Sequence, residues 1–344
     1  MRVLTFNSFP GSPLPYLWNG TPGIGQTSRL GDQIKELQTL SYDVACFQEI
    51  FSQKTVQSYR RMHAEKGFEI LGTPHVWRLS RCVLGTCIRL LFSAAINIPT
   101  WLVLSMGTHL DSQTCFNLFL FFLALGYAYV HVYLHEWTLI AFSSSIADAG
   151  LFTCYRKSLF ELIETYTIEL ARTGDLMNFV QPRLCLMCRL RCKRSGITLC
   201  VANTHLNALG SSQNRLRQIK AILHAFEHNS DDIHILAGDL NIGPSSAEFQ
   251  YLCSQRWIDT AMQIDASEVQ PTWSDKNTLT RGWLRSPSCR LDFILFRYKY
   301  DSECFRFSIK YNTVMKGLSH KGSNLESSDH YGVLVNFHDS TRCS

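Results

Sequence analysis

The sequence has little net charge and no regular arrangement of its cysteines. Its 344 residues include 33 Lys and Arg against 28 Asp and Glu, which leaves a formal net charge of +5. So small a charge does not favour a nucleic-acid-binding protein, because such proteins concentrate Lys and Arg. The 13 cysteines are odd in number and form no paired CxxC frame. This argues against a secreted disulfide scaffold and favours reduced thiols in a protein that faces the cytosol.

The sequence also contains no internal repeat and no low-complexity segment. Its first seven residues lack the apolar core of a signal peptide and instead predict a β-strand. Because 46% of the residues are hydrophobic, the chain can bury a sizeable core in one large domain or two small ones.

Charged residues are nearly absent from one internal stretch. Between Arg89 and Asp148 the only Asp, Glu, Lys or Arg residues are Asp111 and Glu136. The uncharged runs on either side of Asp111 are each about as long as a membrane-spanning helix. Basic residues flank the whole stretch but are missing from its connector, so the positive-inside tendency places both flanks in the cytosol. We therefore predict a membrane-associated apolar helical hairpin at residues 85–147; the alternative is a pair of buried core helices.

The rest of the chain alternates between strand and helix patterns. Short apolar runs with period-two alternation predict strands, and apolar residues at helical spacing predict helices. The predicted strands cover residues 2–6, 42–47, 68–71, 150–155, 184–191, 197–202, 233–241, 290–296 and 332–337. The predicted helices cover residues 28–40, 52–66, 211–227 and 246–253. This succession favours an α/β layered domain.

The predicted site centres on the strand at residues 233–241. Its apolar run ends in Gly238, Asp239 and Asn241, and a Gly-Pro pair then interrupts the strand. In an extended segment, side chains two positions apart point to the same side, so Asp239 and Asn241 are expected to project together. A carboxylate beside an amide oxygen suits Mg²⁺ and a phosphate-bound nucleophile. The alternative is an ordinary turn.

Five further polar clusters lie at the ends of predicted strands or within them. Taken alone, each has a structural explanation: a turn cap, a surface carboxylate, a core histidine, an ion pair with a neighbouring arginine, or an exposed turn. Together they supply the carboxylates, amides and two histidines of a metal-assisted phosphoester hydrolase. The clusters contain Asn7, Glu49, His205, Asp292 and the pair Asp329-His330.

In this order, the motifs resemble those of the endonuclease/exonuclease/phosphatase superfamily. The matching segments are Thr5-Phe6-Asn7, Phe47-Gln48-Glu49, Asn203-Thr204-His205-Leu206, Gly238-Asp239-Leu240-Asn241, Arg290-Leu291-Asp292-Phe293 and Ser328-Asp329-His330. The resemblance implies the α/β fold of pancreatic deoxyribonuclease (DNase I-like), a four-layer α/β/β/α sandwich of two packed mixed sheets. It also implies a single catalytic domain over residues 1–340, interrupted by the apolar helical insertion.

Within the superfamily, the chain is most similar to neutral sphingomyelinases. Residues 28–32 and 42–52 resemble the N-terminal segment of those enzymes. The chain departs from their pattern at Tyr155, where many members have Ser. A Gly/Lys-containing motif expected near residues 178–180 is absent, and the apolar insertion is not part of the usual catalytic domain.

The resemblance implies a divalent metal, Mg²⁺ or alternatively Mn²⁺. Glu49 would be its principal ligand, with Asn7 and Asp329 nearby. Asp239 and Asn241 would face the scissile phosphate, where they would position or deprotonate the attacking water.

The resemblance also implies roles for the two histidines. His330 would act in acid–base catalysis with its ring held by Asp292 through the second nitrogen. His205 would donate to a phosphoryl oxygen or to the leaving group, where negative charge develops. Asn207 and Trp273 are predicted to contact the substrate, and the Trp273 ring can offer a π face to a choline-type cation.

The predicted function is Mg²⁺-dependent hydrolysis of sphingomyelin or a related phospholipid, which yields ceramide or a diglyceride-type product and a phospho-head group. The expected partners are the phospholipid and the membrane, with the catalytic domain facing the cytosol and no stable nucleic-acid partner. The alternatives are a nuclease or deadenylase, a phosphoinositide phosphatase of the same superfamily, and a catalytically inactive membrane scaffold.

Overall fold

The computed structural model places its described residues in one compact unit drawn from residues 1–74 and 148–344. The described residues are 1–8, 26–50, 53–72, 150–170, 183–208, 210–277, 279–280, 287–299, 307–315 and 326–339. The hairpin predicted at residues 85–147 lies outside them. Within the described ranges, no helix combines the length and the apolar character that crossing a membrane requires.

Strands make up most of the regular structure. In chain order they are β1 (Arg2–Asn7), β2 (Val44–Gln48), β3 (Phe68–Gly72), β4 (Phe152–Arg156), β5 (Phe160–Glu169), β6 (Leu184–Cys192), β7 (Thr198–His205), β8 (Ile233–Asp239), β9 (Ile258–Asp259), β10 (Asp292–Tyr298), β11 (Phe307–Val314) and β12 (Gly332–Asp339). The helices are α1 (Gln26–Thr39), α2 (Gln53–Glu65), α3 (Ser212–Glu227) and α4 (Ala247–Ser254), with two 3₁₀ turns at Thr260–Gln263 and Ala266–Glu268.

The strands form two mixed six-stranded sheets. The first sheet has the order β11-β12-β1-β2-β4-β3, and the second has the order β5-β6-β7-β8-β10-β9. The pairs β1–β2 and β7–β8 are parallel, whereas β12 and β10 run antiparallel to β1 and β8. In each sheet, therefore, the carboxyl ends of the parallel strands lie at the same edge as the amino end of an antiparallel strand.

Alternation along each strand fills three apolar layers. In β1, Val3 packs between the sheets, while Leu4 and Phe6 pack on the outer face with residues of α1 and α2. In β10, Ile294 lies between the sheets and Phe293 lies on the outer face with residues of α3. Both faces of each sheet are thus covered, as period-two alternation of buried side chains requires. The predicted four-layer α/β/β/α architecture is confirmed.

Each predicted strand and helix outside the insertion has a counterpart, with ends shifted by a few residues. Three strands have no counterpart among the predictions. In β5 the pairing with β6 shifts register between Leu162 and Glu164, which interrupts the alternation that would mark it as a strand. The strand β9 has only two residues, and β11 is the outermost strand of its sheet.

Candidate active site

Three polar residues lie side by side at one edge of the second sheet. His205 ends β7 and is paired in register with Asp239, the last residue of β8. Asp292 begins β10 and is paired with the same Asp239 from the other side. Directly opposed residues of neighbouring strands place their side chains on one face of the sheet. Strand register alone thus brings the three side chains together.

Gly238 permits the close approach of β8 to β7 immediately before Asp239. Its φ is 144°, and a Cβ at this position would lie 1.9 Å from the carbonyl oxygen of Thr204. A side chain is therefore excluded by the neighbouring backbone. Gly238 therefore allows β8 to pack against β7 so closely that Asp239 lies beside His205.

The first sheet contributes an amide and a carboxylate. Asn7 ends β1, and its Nδ2 donates to Glu49 Oε1 at 3.1 Å and to Asp239 Oδ2 at 3.0 Å. Glu49 follows β2 and has a φ of 62°. This left-handed conformation costs a non-glycine residue about 1–2 kcal/mol, so surrounding contacts must hold it in place. The Asn7 amide joins the two sheets at the site.

The segment before β12 forms hydrogen bonds to residues of both sheets. Ser328 Oγ donates to the carbonyl oxygen of Asn7 at 2.8 Å and accepts from the backbone N–H of His330 at 3.1 Å. His330 Nδ1 lies 2.8 Å from Asp292 Oδ2. Ser328 is a positioning residue to which the sequence analysis assigned no role, although it stands directly before Asp329-His330.

The two histidines approach the same carboxylate oxygen. His205 Nε2 and His330 Nε2 each lie 3.6 Å from Asp239 Oδ2. His205 Nδ1 also lies 3.8 Å from Glu49 Oε1. A group bound at Asp239 Oδ2 would therefore lie near two ring nitrogens.

The electrostatic surroundings shift the pKa values of these two histidines in opposite directions. Burial by itself would lower the pKa of His330, but the carboxylates of Asp292 and Asp239 raise it well above its usual range. Burial lowers the pKa of His205 to about 3, and the positive charge of Arg183 acts in the same direction. These shifts favour the cationic form of His330 and the neutral ring of His205.

The carboxylates on the first-sheet side repel one another. Burial and the negative charge of Asp329 raise the pKa of Glu49 to about 7, although the hydrogen bond from Asn7 opposes the shift. Burial also raises the pKa of Asp329, against the positive charges of His330 and Arg29. A divalent cation would relieve this crowding of carboxylates.

Two sets of residues are candidates for holding that cation. In the first set, the buried Oδ1 of Asn7 has no hydrogen-bond partner within the described ranges, and with Glu49 and Asp329 it forms the oxygen donor set that suits Mg²⁺. In the second set, ligand atoms of Asp239, Asp292 and His330 lie within 4.8 Å of one another. Because the carboxylates favour the protonated form of His330 and its Nδ1 is held by Asp292, the second set suits proton chemistry better than metal ligation.

The backbone predicted around Asn241 is wrong. The strand ends at Asp239, and Asn241 has a φ of 50° instead of an extended conformation. Its backbone N–H donates to Asp239 Oδ1 at 3.0 Å, which forms a local turn, and its Nδ2 donates to the carbonyl oxygen of Leu206. Asn241 therefore stays beside Asp239 through a turn and not through strand periodicity.

The two predicted substrate contacts occupy different surroundings. Trp273 is partly exposed and forms backbone bridges with Cys289 and His330, so it lies next to the site. Asn207 is buried in the loop after β7, where its side chain lies against Gly210 and its backbone N–H donates to Gln218.

A buried amide pair beneath the site also escaped the sequence analysis. Gln48 Nε2 donates to Asn203 Oδ1 at 2.8 Å, and Asn203 Nδ2 donates to backbone carbonyl oxygens of the first sheet. These bonds fix the separation of the two sheets below Asp239. Gln48 and Asn203 both lie within the sequence motifs that resemble the superfamily, so the sequence contained a signal that could have identified them.

Several solved structures share this fold. The structure of D. rerio TDP2 complexed with a single-strand DNA product has a TM-score of 0.60 at 17% identity, with 98% of each chain covered. The catalytic domain of human Nocturnin with a bound sulfate anion has a TM-score of 0.56 at 14% identity, with 98% of this chain and 94% of that chain covered. The Bacteroides thetaiotaomicron mannosyl-6-phosphatase Bt3783 has a TM-score of 0.56 at 15% identity, with 98% and 99% covered.

Comparison by sequence identifies the family. No curated protein matches the chain. The model of the Endonuclease/Exonuclease/phosphatase family matches residues 19–330. Members of this family are phosphoester hydrolases and typically use a divalent metal. The extent of this match, together with the two packed mixed sheets, shows that the chain belongs to the Endonuclease/Exonuclease/phosphatase family.

Proposed function

We propose that the protein is a metal-dependent phosphodiesterase that hydrolyses sphingomyelin or a related phospholipid. The observation that carries the hydrolytic assignment is the convergence of both sheets on one carboxylate. Asp239 Oδ2 accepts a hydrogen bond from the Asn7 amide of the first sheet and lies 3.6 Å from the Nε2 atoms of both His205 and His330. Burying polar groups costs free energy. A reaction in which charge and protons move would explain why so many polar groups are buried around Asp239.

The protonation states suggest how the two histidines divide the work. His330 is cationic at neutral pH, and Asp292 occupies its Nδ1, so its Nε2–H can donate to the departing oxygen. His205 is neutral and can donate a hydrogen bond to a phosphoryl oxygen without a like-charge clash with His330. Asp239, which accepts a hydrogen bond from the backbone N–H of Asn241, would orient the attacking water.

The donor set on the first-sheet side fits a hard divalent cation. Glu49, Asn7 and Asp329 would hold it. When bound, such an ion supplies charge stabilisation at the phosphoryl oxygens. Glu49→Gln should raise the metal concentration needed for activity. Glu161→Gln is the matched control, because it makes the same change on an exposed residue of the edge strand β5.

Two features of the sequence support a lipid substrate. The first is the similarity of residues 28–32 and 42–52 to neutral sphingomyelinases. The second is the apolar stretch at residues 90–142, which would tie the catalytic domain to a membrane with both flanks on the cytosolic side. Such an anchor raises the effective concentration of a lipid substrate without adding a contact to it.

A nucleic-acid phosphodiesterase is the second candidate. The observation in its favour is the similarity to D. rerio TDP2, whose structure holds a single-strand DNA product. The small net charge of +5 argues against it, since most of the binding energy for nucleic acids comes from contacts to phosphates.

Release of product from competing substrates tests the proposal. Full-length protein is incubated with sphingomyelin in mixed micelles, an RNA oligonucleotide, a DNA oligonucleotide and a phosphoinositide, each with Mg²⁺ and with EDTA. We expect phosphocholine release to be fastest and EDTA to abolish it. Faster cleavage of either oligonucleotide, or release of inorganic phosphate from the phosphoinositide, would overturn the lipid proposal. Full turnover in EDTA would overturn the metal assignment.

Membrane anchoring needs a separate measurement. Intact protein should remain in carbonate-washed membranes. A variant with residues 90–142 replaced by a short Gly/Ser linker should be released yet keep its activity on detergent-dispersed substrate. Intact protein in the soluble fraction without detergent would contradict the anchor and leave the phosphodiesterase assignment standing.

A further inference from the structure

Two exposed histidines lie one helical turn apart at the carboxyl end of α3. His224 is in the last turn, and His228 is the capping residue that follows it. Residues four apart face the same side of a helix. The Nε2 atoms of the two rings lie 3.2 Å apart, and the ring planes are inclined at 82°. The two exposed rings thus meet through the same nitrogen, with a hydrogen bond between the two Nε2 atoms.

This separation matches that of two ligands on one metal ion. Zinc–nitrogen bonds are about 2.0–2.1 Å long, so two nitrogens at a tetrahedral angle are about 3.3–3.4 Å apart. An ion would replace the hydrogen bond between the two Nε2 atoms while leaving their separation nearly unchanged. Imidazole favours zinc, copper and nickel, whereas Mg²⁺ prefers oxygen ligands.

Two further features favour a cation at this point. Glu227 Oε2 lies 3.5 Å from His224 Nδ1, the ring nitrogen that would not bind the metal. A carboxylate on the second nitrogen is a common support for a metal-bound histidine, because it orients the ring and increases its basicity. The carboxyl end of a helix also carries partial negative charge, which attracts cations.

The pair lies far from the active site. α3 follows β7, whose last residue is His205, and leads to the amino end of the parallel strand β8. The helix therefore runs from the catalytic edge of the second sheet to the opposite edge. Its 16 residues span about 24 Å at 1.5 Å per residue.

We infer that His224 and His228 form a binding site for a borderline transition-metal ion such as Zn²⁺, with Glu227 as its outer carboxylate. Water or a ligand from another molecule would complete the coordination. The site is independent of the proposed catalytic metal and of the substrate. By joining the last turn of α3 to its capping residue, a bound ion would stabilise the end of that helix.

Equilibrium dialysis of full-length protein against Zn²⁺ tests this site. Excess Mg²⁺ in both compartments occupies the sites that have oxygen ligands. Zinc bound by cysteines is the same in every variant, so it does not contribute to the difference between variants. Wild type should hold about one more Zn²⁺ per chain than His224→Gln or His228→Gln. His338→Gln, the same change on an exposed histidine of β12, should match the wild type. Equal zinc content in all four proteins would overturn the proposal.

Two measurements separate metal binding from a merely structural role. Zn²⁺ should raise the unfolding temperature of the wild type more than that of the His224 or His228 variant, because ligand binding stabilises only the folded state. Glu227→Gln should weaken the zinc affinity by roughly tenfold while keeping the stoichiometry. An equal zinc-induced shift in the wild type and both histidine variants would show that the two rings only hydrogen-bond each other.

Discussion

His205 and His330 hold the same nitrogen at the same 3.6 Å distance from Asp239, yet their pKa values move in opposite directions. Both rings are buried, and burial disfavours the cation in each case. The His330 ring is bound at Nδ1 by Asp292, whereas the corresponding nitrogen of His205 has no hydrogen-bond partner within the described ranges. The comparison teaches that burial lowers the pKa of both rings, and that the carboxylates around His330 reverse this shift whereas the charges around His205 do not.

The largest expected effect is on turnover. His330→Gln should lower kcat by roughly 10³-fold, because it removes the cationic proton donor. His205→Gln should lower kcat by roughly 10²-fold, because a neutral amide keeps some hydrogen-bonding capacity. Steady-state kinetics on the preferred substrate measures both, with His338→Gln as the control. A greater loss for His205→Gln would reverse the proposed division of roles.

Asp292→Asn tests the cause of the high pKa of His330. Removing the carboxylate should lower the pKa of His330 and reduce kcat by roughly 10²-fold. Because the acid must be protonated, the rate falls as pH rises through its pKa. The alkaline limb of the pH–rate profile should therefore move to lower pH in the variant. An unchanged limb with reduced kcat would show that Asp292 only positions the ring.

His205 should make the protein sensitive to acid. Its pKa is about 3 in the folded protein against a usual value of 6.5, so between these values the unfolded chain binds a proton that the folded chain does not. Stability is therefore lost as pH falls from about 6.5 toward 3. Each unit of pKa shift corresponds to about 1.4 kcal/mol, so the loss at about pH 4.5 is about 2–3 kcal/mol.

Urea unfolding of wild type and His205→Gln measures this loss at neutral pH and at about pH 4.5. The variant should lose less free energy of unfolding than the wild type on acidification. Other titrating groups contribute to both proteins and cancel in the difference. An equal loss in both would mean that His205 takes up its proton in the folded state.

The smallest expected effect concerns Arg183, whose positive charge helps to keep His205 neutral. Arg183→Met should raise the pKa of His205 and so reduce the difference between the pKa values of His205 and His330. Proton resonances of the His205 ring, followed through a pH titration, should show its midpoint moved to higher pH. The His330 midpoint should change less. Movement of both midpoints by the same amount would indicate a general rearrangement.

Local patterns in the sequence were sufficient to predict the layered fold. The strands β1 and β8 are short, largely apolar segments that are buried at nearly every position, and short apolar runs bounded by turn residues predict buried strands. The same reasoning did not find β5, because its register shift breaks the period between Leu162 and Glu164. It also predicted the wrong backbone for Asn241, since a left-handed φ depends on a turn that periodicity does not encode.

By itself, the sequence determined which residues stand at strand ends: Asn7, Glu49, His205, Asp239 and Asp292. Tertiary structure decided what each one does there. Asn7 and Asp239 are separated by 232 positions, and His330 and Asp292 by 38, yet each pair is hydrogen-bonded or ion-paired in the fold. Charge states follow from such contacts, because Coulomb interactions depend on distance in space and on the surrounding dielectric. The opposite pKa shifts of two histidines beside one carboxylate therefore arise from the folded chain, and no local stretch of sequence contains them.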